Sequence, residues 1–478
     1  MYDVGHFING KEVDGRSNRF GEVFQPSTGQ LVGRVSLASD SEVDSAVEVA
    51  KAAANRWRDA SLSARVAVME RFRELLEKGA DELAEIISRE NGKLFLDAKG
   101  EVLRGMESVE FACGAPVHLQ GAFSELIGSD IDAYSLRQSV GVVAAITPAN
   151  FPAMVPLWMI PNALVCGNAV IFKPSEKDPS AGMWLANRFT DAGLPDGVLN
   201  VVNGDSEAVK ALLAHPGVDA VSFVGSTPVA RAIYEMASIG GKRVQALGGA
   251  KNHLMVLPDA DLSLAADAAI SAGYGAAGQR CMAISVVLPV GGVANELVQE
   301  IELRAKKVVV GDSMDPSAQL GPLITKQHRD RVAGYVAAAE STGAEVVVDG
   351  SDQMNRSGFF LGPCLVDKVS SGMATYRDEI FGPVLSVVRS KDYSEAIDLV
   401  NANPFGNGAA LFTSSGKAAR AFQRDARIGM LGINVPVPVP PAHFSFGGWK
   451  GSLFGDLHMY GPDGIKFFSR GKTVMTRW

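Results

Sequence analysis

The chain has 478 residues, 47% hydrophobic and 21% charged, with a formal net charge of −8. That composition excludes a disordered chain and leaves room for more than one substantial core. The acidic balance gives no reason to expect nucleic acid or a membrane surface as partner. No run of about 18 apolar residues marks a membrane span. Residues 1–15 lack a basic stretch followed by an apolar one, so no secretory signal is expected there and the cytoplasm is the expected location. Cys113, Cys166, Cys281 and Cys364 are widely spaced, and the seven histidines are scattered without an HExxH. Neither a disulfide framework nor a metal site is therefore expected.

In chain order, His6-Phe7-Ile8, Asn9-Gly10 and Lys11-Glu12-Val13 predict a hairpin, because Asn-Gly is the favoured two-residue turn. Ser41-Glu42-Val43-Asp44 reads as a helix start, and Val43, Val47, Ala50, Ala54 and Trp57 follow at helical spacing. Two more helices are expected near 63–78 and 81–90. From about 141 short apolar runs take over, at 142–146, 169–172, 198–202 and 221–224, with helical stretches between them. Alternating buried strands and helices predict a parallel sheet covered on both faces, with ligands beyond the carboxyl ends of its strands. Asn150, Lys173, Gly204 and Gly225 sit at those ends. A second α/β region is expected over about 253–450, and the proline-alternating segment 435–441 should be extended. In the tail, 465–468 and 473–476 read as strand. That tail pairs either with another subunit or along an edge of the same chain.

There is no GxGxxG. In its place Phe223-Val224-Gly225-Ser226-Thr227-Pro228 ends a strand and opens a helix, whose free N–H groups suit a pyrophosphate. Cys281 follows a run of small residues, Gly273 to Gly278, that would give substrate close access. The adjacent Arg280 would favour its thiolate. Arg104 is either half of a carboxylate clamp or a helix-surface partner of Glu101 or Glu107.

Several segments carry a resemblance: Lys173-Pro174-Ser175-Glu176, Gln245-Ala246-Leu247-Gly248-Gly249-Ala250-Lys251-Asn252-His253, Gly278-Gln279-Arg280-Cys281, Glu379-Ile380-Phe381-Gly382-Pro383 and Phe444-Ser445-Phe446-Gly447-Gly448-Trp449-Lys450. In this order, over nearly the whole chain, the sequence resembles the NAD-dependent aldehyde dehydrogenase superfamily. The resemblance implies an α/β fold. It has a Rossmann-like NAD-binding domain (1–120 and 141–250), an α/β catalytic domain (251–450) and a small β oligomerisation element (121–140 and 460–478), assembled as a homotetramer of paired dimers. It implies Cys281 as nucleophile and Asn150 as side-chain oxyanion donor, with the Cys281 N–H as second donor. Lys173 and Glu176 would hold the adenosine ribose and favour NAD over NADP, Gly204 would pass the adenine, and Gly225 and Ser226 would meet the pyrophosphate. Glu379 would hold the nicotinamide ribose, with Phe381 near the ring and Thr147, Phe151 and Leu247 completing the cofactor site.

The sequence departs from that family twice. Ala246 stands where hydrolytic members carry a glutamate base, and Met159 follows Trp158 where many carry a lysine. A general base typically contributes about 10²–10⁴-fold, so water should be a poor acceptor, and a thiol, coenzyme A, is expected instead. This pattern resembles the coenzyme A-acylating branch that acts on methylmalonate semialdehyde. For that branch the resemblance implies Arg104 and Arg280 on the substrate carboxylate, with propanoyl-CoA and CO2 as products (acetyl-CoA from malonate semialdehyde). Two alternatives share these residues: a hydrolytic NAD-dependent semialdehyde dehydrogenase, and a catalytically silent binding protein of the same fold.

Overall fold

A computed structural model describes residues 1–478. The first hairpin forms as expected, His6–Ile8 against Lys11–Val13, with Asn9 and Gly10 at φ 56° and 78°. Both positive φ values match the twist of the flanking strands, which is why Asn-Gly is favoured there. The first helix, Asp40–Arg58, buries all five predicted apolar positions. Its cap is Ser39, two residues earlier than expected, because Glu42 stands three residues on and accepts the Ser39 N–H at 2.9 Å. Helices Leu62–Lys78 and Ala80–Asn91 follow as expected. A further helix, Phe95–Cys113, implied earlier only by the helix-surface reading of Arg104, packs on Met154–Val165. Gly105 permits that approach, since a β-carbon there would lie 2.6 Å from Leu157.

The first large sheet places Arg243–Leu247, Ala220–Val224, Val142–Ile146, Ala169–Lys173 and Leu199–Val201 side by side and parallel. Leu453–Phe454 and the N-terminal hairpin add antiparallel edges. Its central strands are buried along their full length, as strands covered by helices on both faces must be. The second large sheet is ordered Glu345–Val348, Cys364–Asp367, Val384–Val387, Ile284–Pro289, Asn252–Val256, Gly408–Phe412 and Met430–Ile433, parallel except at its first edge. Each large sheet has its own apolar core. No helix is long and apolar enough to cross a membrane. The segment 435–441 forms neither helix nor strand.

The tail corrects one expectation. Residues 465–468 are not strand: Gly461–Phe467 is a helix, with Pro462 in its first turn. Ile465, Phe467 and Phe468 pack in the core around Trp158. Ile465, Phe467 and Phe468, interrupted by the exposed Lys466, fit a buried helical turn as well as a strand, and the Gly-Pro start decides it. The strand is Ser469–Arg477, paired antiparallel with Ile131–Ser139 of the same chain, which in turn pairs with Phe123–Gly128. This three-stranded sheet is separate from the two large ones, and Ser469–Arg477 keeps one edge unpaired.

Candidate active site

The segment that delivers Cys281 is tightly bent. Helix Leu262–Tyr274 ends and Gly275–Gly278 turns, with Ala276 and Ala277 both left-handed at φ 50° and 54°. Non-glycine residues pay roughly 1–2 kcal/mol each for that conformation, so neighbouring structure must hold it. At Gly278, φ 69°, a β-carbon would lie 2.2 Å from the Gly382 carbonyl. The Asn252 and Asn407 amides then donate to the Cys281 carbonyl at 2.9 and 3.0 Å. This anchoring leaves the half-buried thiol beside a cleft of about 700 Å³ between the two large sheets.

The thiol environment overturns the role expected of Arg280. Its guanidinium pairs with Asp97 at 2.9 Å and lies over Gly275, where a β-carbon would meet it at 2.4 Å. Consecutive side chains in a turn diverge, so adjacency in sequence puts no positive charge on the sulfur. Burial and then the Glu379 charge push the Cys281 thiol up to about 12. The Cys281 and Met282 N–H groups and the charge of Lys93 act in the opposite direction.

Asn150 lines the same cleft, its Nδ2 donating to the Gln279 carbonyl at 3.0 Å. Two buried residues that the sequence reading passed over grip its loop. Asn91 Nδ2 donates to the Ala149 carbonyl at 2.8 Å and to Asp178 at 3.0 Å. Lys93 Nζ donates to the Asn150 carbonyl at 2.6 Å and pairs with Glu101. Their signal was Asn91-Gly92-Lys93, a polar run directly after a helix that nonetheless is buried on both sides of the glycine.

Gly225, Ser226, Glu379 and Phe381 line the cleft as well. At Gly225 a β-carbon would collide with the Phe223 ring at 2.4 Å. Ser226 opens helix Thr227–Ile239 without capping it through its side chain, which leaves N–H groups free for an anion. Glu379 accepts the Ala250 N–H at 2.9 Å, and a β-carbon on Gly249 would lie 2.1 Å from its carboxylate. Burial raises the Glu379 carboxyl, with the Ala250 N–H and then Lys251 opposing it. Lys251, itself buried and pushed down to about 7, donates to the Thr375 and Asp378 carbonyls at 2.7 Å each. Phe381 is left-handed at φ 58°, and its carbonyl is 2.7 Å from His328 Nε2.

The other expected cofactor residues lie outside this cavity. Lys173 ends its strand buried, 3.4 Å from Glu176. Gly204 packs against Ala208, where a β-carbon would sit at 2.4 Å. Thr147 bonds backbone to backbone with Lys173 and keeps a buried hydroxyl without a partner. Phe151 lies beneath Lys93, and the Leu247 carbonyl accepts the Gly225 N–H at 3.1 Å. A buried cation beside a carboxylate, a helix start with free N–H groups and glycines that tolerate no β-carbon fit a dinucleotide at these strand ends.

The two arginines do not meet. Arg104 pairs with Glu107 at 2.5 Å and donates to the Val439 and Pro440 carbonyls at 3.3 and 3.2 Å. It lines a small separate cavity with Trp158 and Tyr460. Glu101, its other expected partner, is buried against Lys93. The joint clamp is therefore not formed in this structure, since each guanidinium is engaged by its own carboxylate. Ala246 is fully buried in the core with Ile146 and Phe223, so that strand offers the thiol no carboxylate. Glu379 is the carboxylate whose charge reaches Cys281.

Glu379→Gln removes that negative charge and so should lower the thiol pKa. The alkylation rate of Cys281 by iodoacetamide, which follows the thiolate fraction, should then rise at any fixed pH below the pKa. An unmoved pH profile would show that Glu379 exerts no field on the sulfur.

Residues 13–474 match the model of the aldehyde dehydrogenase family. A malonate-semialdehyde dehydrogenase of Pseudomonas aeruginosa is 50% identical, covering 100% of this chain and 97% of the relative. One from Geobacillus kaustophilus is 47% identical, covering 99% and 98%. Among solved structures, a methylmalonate-semialdehyde dehydrogenase of Oceanimonas doudoroffii superposes with TM-score 0.98 at 50% identity, covering 100% and 99%. A Sinorhizobium meliloti protein provisionally assigned that activity and solved in complex with NAD gives TM-score 0.99 at 50% identity, covering 100% and 98%. With a matching family model over almost its full length and full-length relatives at half identity, the chain belongs to the aldehyde dehydrogenase family and is an NAD-dependent enzyme.

Proposed function

We propose that the enzyme oxidises malonate semialdehyde or methylmalonate semialdehyde and passes the acyl group to coenzyme A. The observation that carries this reading is one cleft holding Cys281 and Asn150 beside a strand whose base position is the buried methyl of Ala246. The semialdehyde activities named for relatives at 45–50% identity support the substrate class.

Cys281 attacks the aldehyde carbon. The new oxyanion accepts from the Asn150 amide and the Cys281 N–H, donors that must be in place before charge develops. Bound NAD supplies the hydride acceptor, for which Gly225, Ser226, Lys173, Glu176 and Glu379 are the holding residues. Oxidation leaves an acyl thioester on Cys281. A carboxylate β to that carbonyl departs as CO2, its electron pair taken up by the thioester as an enolate, which then takes up a proton at the α-carbon to give the propanoyl or acetyl thioester. The coenzyme A thiolate then displaces Cys281. Arg280, which shares a small cavity with Cys281, binds the substrate carboxylate by exchanging it for Asp97. Arg104 sits behind Tyr460, whose hydroxyl donates to Pro440 at 2.9 Å.

The unpaired edge of Ser469–Arg477 and the exposed Phe123, Leu126 and Met475 support a homotetramer built through residues 121–140 and 460–478. Four free cysteines support a reducing cytoplasm.

The test is NADH formation from methylmalonate semialdehyde with and without coenzyme A. A stoichiometric burst that becomes steady turnover only with coenzyme A is expected. Full turnover without it would overturn the acylating reading.

A further inference from the structure

Lys93 is the least expected charge near the reacting centre. Its side chain is 2% exposed, and that of its partner Glu101 is 0%. The ammonium has three directions filled: the Glu101 carboxylate, the Asn150 carbonyl at 2.6 Å, and the face of Phe151 with its centroid at 4.0 Å. With its protons so committed, Lys93 cannot serve as a proton carrier, and it acts through charge and position. Glu101 is equally committed. Its second oxygen accepts the Ala153 and Met154 N–H groups at 2.8 and 3.0 Å, at the start of helix Met154–Val165. The loop between strand Val142–Ile146 and that helix is thus held by one ion pair at its middle, through the Asn150 carbonyl, and at its helix end.

We propose that Lys93 is the positioning residue of the oxyanion site: it ties the Asn150 carbonyl to Glu101 and so keeps the Asn150 amide beside Cys281. This rests on reading Cys281 as the nucleophile and Asn150 as the donor. The distances support a continuous chain of contacts, from Glu101 to Lys93, to the Asn150 backbone, and from the Asn150 amide to Gln279, two residues before the thiol. The Lys93 charge also reaches the sulfur and opposes the effect of burial on it. One buried cation thereby acts on both halves of the reaction's first step.

An ordinary structural ion pair would give similar burial, so the test needs readouts that such a pair would not move. The double variant Lys93→Met/Glu101→Gln removes both charges together and avoids stranding one of them in the interior. Its single-turnover NADH burst is expected to slow by about 10²-fold, the usual cost of losing one oxyanion donor. The pH profile for alkylation of Cys281 should move to higher pH, with NAD affinity unchanged. In an Asn150→Ala background the same pair of changes should slow the burst by clearly less than about 10²-fold, the remainder being the effect of the lost charge on the thiol, because coupled residues are not additive. Lowered thermal stability with burst rate and alkylation profile both unmoved would overturn the proposal. So would a full additive loss in the Asn150→Ala background.

If the double variant does not fold, Lys93→Gln/Glu101→Gln gives the same decision, again without a stranded buried charge. Its amide at position 93 still reaches the Asn150 carbonyl but carries no charge, so the alkylation profile should move while the burst slows less. An unmoved profile there overturns the proposal. Cys281→Ser separates the two levels: turnover surviving that change would remove the nucleophile assignment itself, whereas the Lys93 outcomes bear only on how the donor is held.

Discussion

Cys281→Ser should lower NADH formation by about 10⁴-fold or more, the scale seen when an enzyme loses its nucleophile. The hydroxyl is close in size to the thiol, and the Asn252 and Asn407 amides hold the backbone carbonyl rather than the side chain. The loop should therefore keep its shape, and NAD affinity and thermal stability should stay near those of the parent. The residual rate should also lose its pH dependence. In the unliganded enzyme the thiol is pushed up to about 12, mainly by burial and then by Glu379, so near neutral pH it is protonated. Below that value each pH unit multiplies the thiolate about tenfold, and alkylation of the parent enzyme should climb steadily through the alkaline range. A Cys281→Ser variant that turns over within about tenfold of the parent would rule out thiol attack, since nucleophile loss costs far more.

A protonated resting thiol also revises the part that charge plays here. The sequence placed Arg280 next to Cys281 and invited the inference that it ionises the sulfur. In the fold Arg280 belongs to Asp97, while a lysine 188 positions away supplies the cation that acts on the thiol. Such distant partners are created by the loop that folds Asn150 against Lys93, and no local pattern announces them. Arg104 teaches the same lesson from the other side: its neighbour Glu107 is a sufficient partner, one helical turn on, and captures it.

What was legible follows from burial. The strands Val142–Ile146, Ala169–Lys173 and Ala220–Val224 are covered on both faces, so they had to be continuous apolar runs, and they stood out. Helix Phe95–Cys113 did not, because it sets Gly100 and Gly105 among mixed polar and apolar residues, and Gly105 is there for close packing rather than for helix propensity. The tail helix was masked because Ile465, Phe467 and Phe468 around Lys466 also fit a short strand. Cys281, Asn150 and Glu379 were legible only through family motifs. Glu379 in isolation is a loop carboxylate, and it becomes notable once Gly249 lets it approach Ala250.

The sharpest consequence concerns Ala246. If the missing carboxylate is what makes water a poor acceptor, Ala246→Glu should restore turnover without coenzyme A by roughly 10²–10⁴-fold over the parent's coenzyme A-free rate, the usual contribution of a general base. The gain should come with a loss of stability. Ala246 is fully buried among Ile146, Phe223 and their neighbours, so a carboxylate there has little water. An uncompensated buried charge costs about 3–5 kcal/mol. The sign with pH is fixed: burial raises the folded-state pKa of the new acid above its unfolded value, so the penalty is largest above the folded pKa. It shrinks as pH falls and is gone below the unfolded pKa. Melting temperatures of the variant and parent should therefore converge in mild acid and separate toward neutral pH. The restored hydrolysis should have the opposite pH preference, because only the ionised carboxylate can take a proton from water. A folded Ala246→Glu variant that still gives one burst and then stalls without coenzyme A would show that the acceptor is chosen by something other than this side chain. Access of coenzyme A along the cleft would then be the determinant, and the methyl group at 246 would be its companion rather than its cause.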